Sequence, residues 1–379
     1  MTKIPALYLR GGTSKGVFFN AADLPADAAQ RDALLLRVIG SPDPYGKHSD
    51  GMGGATSSTS KVVILAPSRQ AGCAVDYLFG AVAIDAPLID WSGNCGNLSA
   101  AVGPAALYMG LVRAPDGAGT HAVTIWQQNI GQKIIAHVPL TSDGLPCEIG
   151  VFQEDGVAFS GGEIVLEFVE SATPTTALLP TGNIVDLLDV PGVGQIEATL
   201  LTAGNPSIFI HAAAIGMSGR ERQSEVNDNA QLLQRCEAIR AHAAVIMGLV
   251  PDAETATRER PATPKLAWVA PAAGYVSSAG VSVAAEQIDV LGRILSMGKL
   301  HHAFTGTGSI ALAVAAALPG SVVAQNLPSL VSQQVRLGHV SGRLAIGATV
   351  VQEQGVWRMD KAILSRSARL LMSGWVHLP

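Results

Sequence analysis

Charge is scarce in this chain. Lys, Arg, Asp and Glu together make up 15 % of its 379 residues, and they leave a formal charge of −5. Such a balance supplies no basic field for a nucleic-acid backbone. Long hydrophobic runs are missing as well. No apolar stretch reaches the length of a membrane span, and the start MTKIPALYLRGG has no signal-peptide core, so the cytoplasm is the expected location. Cysteine is sparse too. Cys73, Cys95, Cys147 and Cys236 show neither C-x-x-C spacing nor an accompanying histidine pattern, which argues against a zinc site. Thiols this few in so long a chain fit a reducing compartment. Clustered carboxylates are lacking, and the phosphate loop G-x-x-x-x-G-K-[ST] does not occur. The expected cofactor is therefore none, and no metal is expected.

What is present is apolar and turn-rich: 48 % hydrophobic residues, 41 glycines and 21 prolines. The length suggests two domains, divided here as 1–184 and 185–379, with linker-like composition at Thr173–Pro180. The chain is organised around Trp91–Leu107, WSGNCGNLSAAVGPAAL. Gly93 and Gly96 permit a close backbone approach, and the segment after Gly96 has almost no polar face. A helix apolar all round belongs in the middle of a domain. Cys95 would open it, where free N–H groups favour a thiolate or a bound carboxylate. A buried, inert cysteine is the equal alternative. Thr305–Leu318, TGTGSIALAVAAAL, repeats the pattern: Gly96, Asn97 and Leu98 fall on Gly308, Ser309 and Ile310, and Cys95 falls on Thr307. Two glycine-hinged apolar helices imply two similar halves. A site between two such helix starts would attract an anion with several carboxylates.

Taken in order, Ile4–Arg10 and Val17–Asn20 predict strands around GGTSKG, which offers Thr13, Ser14 and Lys15 to an anion or is an ordinary glycine-rich turn. Ala26–Ile39 predicts an amphipathic helix. Ser41–Gly54 is a loop long enough to be functional. The hydroxyls that follow it lead to Lys61 at the head of a strand, Val62–Leu65. A half-desolvated lysine there can act as a base; a snorkelling surface lysine is the commoner fate. Further strands are expected at Tyr77–Ile84, Ala86–Ile89, His121–Gln128, Lys133–Pro139, Val157–Phe159 and Ile164–Val169. Gly182–Leu188 would open the second half. Strands at Ile196–Leu201 and Ser207–His211 flank a tight turn at Ala203–Ser207. Asn227–Met247 predicts the longest helix and Ile288–Met297 another, with Lys265–Val269, Gly338–Val351 and Val356–Leu364 as strands. Sheets interspersed with a few helices, two of them wholly apolar, give an α+β class.

The chemistry-bearing loops hold hydroxyls, amides, glycines, a few cations and one cysteine. A site of this kind binds a polyanion and moves protons. His301 and His302 are read as core or helix-end histidines. Ser58-Thr59-Ser60-Lys61 matches the S-x-x-K of serine hydrolases, but S-D-N and K-T-G are missing and the lysine leads into a strand. A non-enzymatic organic-acid binding protein is a further alternative.

RGGTSKGVFF (Arg10–Phe19), IGSPDPYGK (Ile39–Lys47), DGMGGATSSTSKVVIL (Asp50–Leu65), VDYLFG (Val75–Gly80) and DWSGNCGNLSAAVG (Asp90–Gly103) closely resemble the 2-methylaconitate cis-trans isomerase (PrpF) family. Looser matches, AGNPSIF (Ala203–Phe209), PKLAWV (Pro264–Val269) and HHAFTGTGSIALA (His301–Ala313), extend the likeness over most of the chain. The resemblance implies a diaminopimelate epimerase-like fold: two pseudo-symmetric halves, each a mixed sheet around a central apolar helix, with the site in the cleft between them. Those epimerases carry one cysteine per half, whereas here Thr307 or Ser309 stands in the second place, which argues against two-thiol racemisation. What it implies for function is a cofactor-free allylic isomerase of unsaturated polycarboxylates, with Lys61 and Cys95 as the proton-transfer pair. Carboxylate binding would fall to Ser14, Lys15, Ser57, Ser58, Asn94, Gly96, Asn97, Asn205, Ser207, Lys265, Gly306, Thr307, Gly308 and Ser309. The full-length likeness favours 2-methylaconitate, in the methylcitrate route of propionate breakdown. The alternatives are 4-oxalomesaconate tautomerisation or a methylitaconate-type isomerisation. The expected partners are a small di- or tricarboxylate and, functionally, an aconitase-like iron–sulfur dehydratase, with a homodimer left open.

Overall fold

The structure is a computed structural model describing residues 2–114, 117–169, 177–329 and 334–378. By contacts the chain forms two units, Met1–Phe168 with Ser365–Pro379, and Val169–Leu364.

The first unit opens with β1 (Thr2–Gly11) and β2 (Ser14–Asn20), an antiparallel pair turning at Gly12 and Thr13. Gly12 has φ +51°, a left-handed backbone that glycine adopts without steric cost. GGTSKG is thus a tight hairpin with Ser14 and Lys15 already in strand. Helix α1 (Ala28–Ile39) is capped by Asp27, whose side chain accepts from Gln30 N, and it buries Leu35, Val38 and Ile39. It carries the chain over to β3 (Lys61–Pro67), which runs parallel to β2 with Val17 opposite Val62. Parallel neighbours need such a crossover. β4 (Val75–Val82) returns antiparallel to β3, and β5 (Ile89–Asp90) pairs with its end. Of the strand expected at Ala86–Ile89, only Ile89 is in β5, because the preceding residues form the turn.

Helix α2 (Gly96–Tyr108) is buried from Gly96 through Ala106. It lies against β6 (Gly119–Gln127) and β7 (Gln132–Leu140), and a Cβ at Gly103 would sit 2.7 Å from Val138 Cγ2, so the helix touches the sheet through a missing side chain. β8 (Glu163–Val169) follows. Val157–Phe159 is not a strand. Phe159 is exposed there, with no ladder among the described residues to pair its backbone.

The second unit starts with β9 (Asp186–Val190), β10 (Gly194–Ala203) and β11 (Asn205–His211), the last two turning at Gly204, φ +70°. Residues 173–176 of the linker-like stretch lie outside the described residues. Three helices, α3 (Gln223–Asn227), α4 (Ala230–Ile246) and α5 (Ala253–Glu259), make the crossover. The single helix expected over Asn227–Met247 is broken because Asn229 leaves helical backbone and caps α4, accepting from Leu232 N at 3.0 Å. β12 (Lys265–Pro271) then runs parallel to β11, with Ser207 opposite Lys265. After the small pair β13 (Tyr275–Val276) and β14 (Ser282–Val283) comes β15 (Val290–Ser296), where a helix was expected over Ile288–Met297. All its residues are buried, and it is paired with β12 and with β17 (Gln334–His339). Burial on both faces, Arg293 included, removes the alternation that marks a strand, so periodicity cannot separate it from a helix. β16 (Lys299–Leu300), α6 (Gly306–Ala317), β18 (Gly342–Glu353) and β19 (Val356–Leu378) complete the chain.

The same order therefore occurs twice: a hairpin, a helical crossover, a parallel strand, an antiparallel strand with a short partner, a wholly apolar helix, then a hairpin. β3 and β12 read KVVILAP and KLAWVAP and share one burial pattern. This is an α+β fold of two pseudo-symmetric halves, each a mixed sheet around an apolar helix. No described helix is long and apolar enough to cross a membrane.

Candidate active site

In the first unit the chemistry gathers at the start of α2. Cys95 keeps extended backbone (φ −108°, ψ 94°) and caps the helix it opens, its Sγ accepting from Leu98 N at 3.5 Å. Negative charge is stabilised at such a position. The Tyr77 hydroxyl donates to the Cys95 carbonyl at 3.3 Å, and the Ser99 hydroxyl does so at 3.1 Å. Burial, and then the nearby cysteine, push the Tyr77 phenol well above its ordinary value, so it stays a neutral donor.

Lys61 heads β3. Gly16 lies beside it, and a Cβ there would meet Lys61 O at 2.9 Å and Leu98 Cδ1 at 3.2 Å. The missing side chain leaves room for the Lys61 backbone and the tip of the Leu98 side chain to approach one point. Lys61 is 6 % exposed, and its Nζ lies 4.8 Å from the centre of the Phe79 ring. Its ammonium makes no hydrogen bond or ion pair with another described residue. Burying a cation without a polar partner is costly, and an aromatic face returns only about 0.5–2 kcal/mol.

The hydroxyl loop before Lys61 is internally bonded. Ser58 Oγ and Thr56 Oγ1 are 3.0 Å apart, the Ser58 carbonyl accepts from Lys15 N at 3.0 Å, and Ser60 Oγ lies 3.2 Å from Nδ1 of the buried His48. Ser57 is half-buried and Ser14 fully buried. The Lys15 ammonium lies over the Tyr8 ring at 5.4 Å. Asn94 is buried beside Cys95.

Sequence reasoning missed one member of this group. Arg366, on β19, is 2 % exposed; its Nε donates to Asn97 Oδ1 at 3.0 Å and lies 3.2 Å from Glu154 Oε1. No local pattern marks it, since an arginine in an alternating strand reads as an outward-facing residue.

The second unit repeats the arrangement with other side chains. Thr305 caps α6, accepting from Gly308 N at 3.2 Å. Asn205 donates to Thr307 Oγ1 at 2.9 Å, and a Cβ at Gly204 would lie 3.5 Å from Thr307. Ser207 Oγ donates to the Asn205 carbonyl at 3.1 Å, Ser309 Oγ donates to Gly306 O at 2.7 Å, and Lys265 Nζ donates to Ser296 Oγ at 3.4 Å. By position in the helix, the counterpart of Cys95 is Thr305, so the repeat read from sequence is shifted by two residues. The two glycines of TGTG made both registers available, and cap geometry decides between them.

His301 and His302 stack with ring centres 4.7 Å apart, and His301 Nδ1 accepts from Ala303 N at 3.1 Å. Burial depresses the His302 imidazole. Among the described residues no group of three or more His, Cys, Asp or Glu is arranged to hold a metal ion. A surface cavity of about 580 Å³ near Leu107, Arg113 and Asp143 lies at the far end of α2, on the order of 15–20 Å from Cys95 at the rise of a helix.

Two halves of this kind, each with a capped apolar helix inside a mixed sheet, define the diaminopimelate epimerase-like class. A solved probable proline racemase from Agrobacterium radiobacter K84 shares the fold, with a TM-score of 0.56 at 14 % identity over 99 % of this chain and 93 % of that one. The chain belongs to the PrpF protein family, whose model matches residues 1–379. A 2-methyl-aconitate isomerase of Shewanella oneidensis is 54 % identical, covering 100 % of this chain and 97 % of that protein. The crystal structure of a methylitaconate-delta-isomerase matches with a TM-score of 0.76 at 35 % identity, over 99 % of this chain and 95 % of that one.

Proposed function

We propose that this protein isomerises 2-methylaconitate by taking a proton from an allylic carbon and returning it. The observation that carries the reading is Lys61, a buried amine with no polar partner among the described residues, in the same unit as the helix that Cys95 caps. The full-length likeness to a 2-methyl-aconitate isomerase supports the choice of substrate.

Neutral Lys61 accepts the proton from carbon next to a C=C conjugated with carboxylate, becoming an ammonium. The electron pair spreads into a dienolate, and the former double bond gains single-bond character. Rotation or an allylic shift follows, and a proton returns to carbon from Lys61 or from Cys95 as the opposing acid. Substrate and product are isomers, so no electrons enter or leave, and the chain's own side chains suffice without a cofactor. The enolate charge falls to the N–H groups at Asn94–Asn97 and Gly306–Ser309. Ser14, Lys15, Ser57, Ser58, Asn205, Ser207, Lys265, Thr307 and Ser309 bind carboxylate. The same reading gives the protein an aconitase-like iron–sulfur dehydratase as functional partner and the cytoplasm as its location.

Proton NMR of chelator-treated protein with 2-methylaconitate in D₂O, run beside 4-oxalomesaconate, tests the proposal. Isomerisation with deuterium entering the allylic position, faster for 2-methylaconitate, is expected. Faster turnover of 4-oxalomesaconate would replace the substrate, and no exchange with either acid would favour the binding-protein alternative.

A further inference from the structure

We infer that Arg366 is a positioning residue for Cys95, a buried guanidinium that locks Asn97 in the first turn of α2. The inference rests on reading Cys95 as an acid–base group. Three observations carry it.

The first is the orientation of Asn97, the second residue of α2. Its Oδ1 accepts from Arg366 Nε at 3.0 Å while its Nδ2 donates to Thr13 Oγ1 at 2.9 Å. Both ends of the amide are held, so the turn that follows Cys95 is fixed from β19 on one side and from the β1–β2 hairpin on the other. The second is the space around it. A Cβ at Gly12 would lie 2.9 Å from Arg366 Cδ and 3.0 Å from Asn97 Oδ1, so the hairpin, the cation and the amide converge where a side chain is missing. The third is charge. Glu154 accepts from Ser367 N at 3.2 Å through Oε2, yet its buried Oε1 has no hydrogen bond, only the 3.2 Å ion-pair approach to Arg366. Burial lifts Glu154 above the usual carboxylate range and depresses Arg366, which Glu154 and Cys95 pull back up. Removing a buried cation that has anionic partners leaves their charge uncompensated. Arg366 therefore ties the carboxyl behind it to Asn97, in the first turn of the helix that Cys95 caps.

The titratable groups about that start are Tyr77 on β4, which bonds the Cys95 carbonyl, Lys61 on β3, which meets Leu98 across Gly16, and Arg366 with Glu154 behind it.

The test is the pH dependence of iodoacetamide alkylation at Cys95, read by peptide mass spectrometry on the full chain. Opposite charges a few ångströms apart shift a midpoint by about 1–3 units. Arg366→Gln should move the Cys95 midpoint upward by at least about one unit, with kcat falling and KM nearly constant. Arg366→Lys should restore the midpoint better than it restores kcat, because an ammonium supplies charge without the planar grip on Asn97. Cys236, fully buried and pushed up to about 12 by burial, is the internal control, since its alkylation reports unfolding. A folded Arg366→Gln protein with an unmoved Cys95 midpoint overturns the inference, and a lowered melting temperature alone would mark Arg366 as structural. If Arg366→Gln does not fold, Glu154→Gln should move the midpoint downward by freeing the cation, and an unmoved midpoint there overturns it equally. Full turnover by Cys95→Ser would remove Cys95 from the mechanism while leaving the alkylation shift to be seen, so the two failures are distinguishable.

Discussion

The two helix starts share a backbone and differ in what they do with charge. In each half a lysine heads the parallel strand, and an apolar helix begins on a side chain that caps it, Lys61 with Cys95 and Lys265 with Thr305. Lys61 has an aromatic ring for company, whereas Lys265 donates to Ser296 on the neighbouring antiparallel strand. The strand beside Lys61 has Ala81 opposite it, which offers no hydroxyl. A thiol that can carry a proton caps one helix, and a hydroxyl that does not titrate caps the other. Duplicated architecture thus carries different side chains at its two helix starts, and on the proposed reading the first moves protons while the second holds an anion.

The sharpest way to break that contrast is to remove each lysine. Lys61→Ala should lower kcat by about 10²–10⁴-fold with the fold intact, read by steady-state kinetics beside circular dichroism. Lys265→Ala should act on binding: loss of a charged hydrogen bond, about 1.5–3 kcal/mol, raises KM by roughly 10–100-fold while kcat moves little. If both variants lose kcat alone, the halves are not divided as described and Lys265 joins the proton transfer.

The ion pair behind Asn97 gives a smaller, pH-dependent effect. Because burial raises Glu154, the folded protein holds that proton more tightly than the unfolded chain does. The stability this contributes is complete below the ordinary carboxylate pKa and is lost as pH rises through the raised one. Relative to the wild type, Glu154→Gln should therefore gain stability in urea unfolding as pH rises from about 4. A relative loss over that range would mean that attraction to Arg366 outweighs the cost of burial.

How much of this was legible in sequence depends on the range of the interaction. The apolar helices, the alternating strands and the lysine at the head of β3 follow from local pattern, and GGTSKG through DWSGNCGN carried the family resemblance. The hairpin at Gly12 was open to two readings, because glycine-rich turns and anion loops share a composition. β15 was misread since its neighbours, not its own periodicity, make it a strand. Arg366 was invisible for a similar reason: its partners Asn97 and Glu154 lie far away along the chain. No composition shift at Ser365 announces that the last residues belong with the first unit.

The smallest effect separates the cap from the lysine as the origin of the difference. Thr305→Ala removes the side chain that accepts from Gly308 N and should cost about 1 kcal/mol of stability, a typical value for a lost helix cap. Thr305→Cys instead copies the first half, since Cys95 shows that a sulfur can accept the corresponding bond. That variant should recover most of the stability and leave kcat unchanged, because Lys265 still donates to Ser296 and no unpartnered amine faces the new thiol. Thermal unfolding and kinetics on the pair of variants read both quantities. A change in kcat with Thr305→Cys would locate the asymmetry in the caps; its absence leaves it with the lysines, where a hydroxyl on the next strand is the difference.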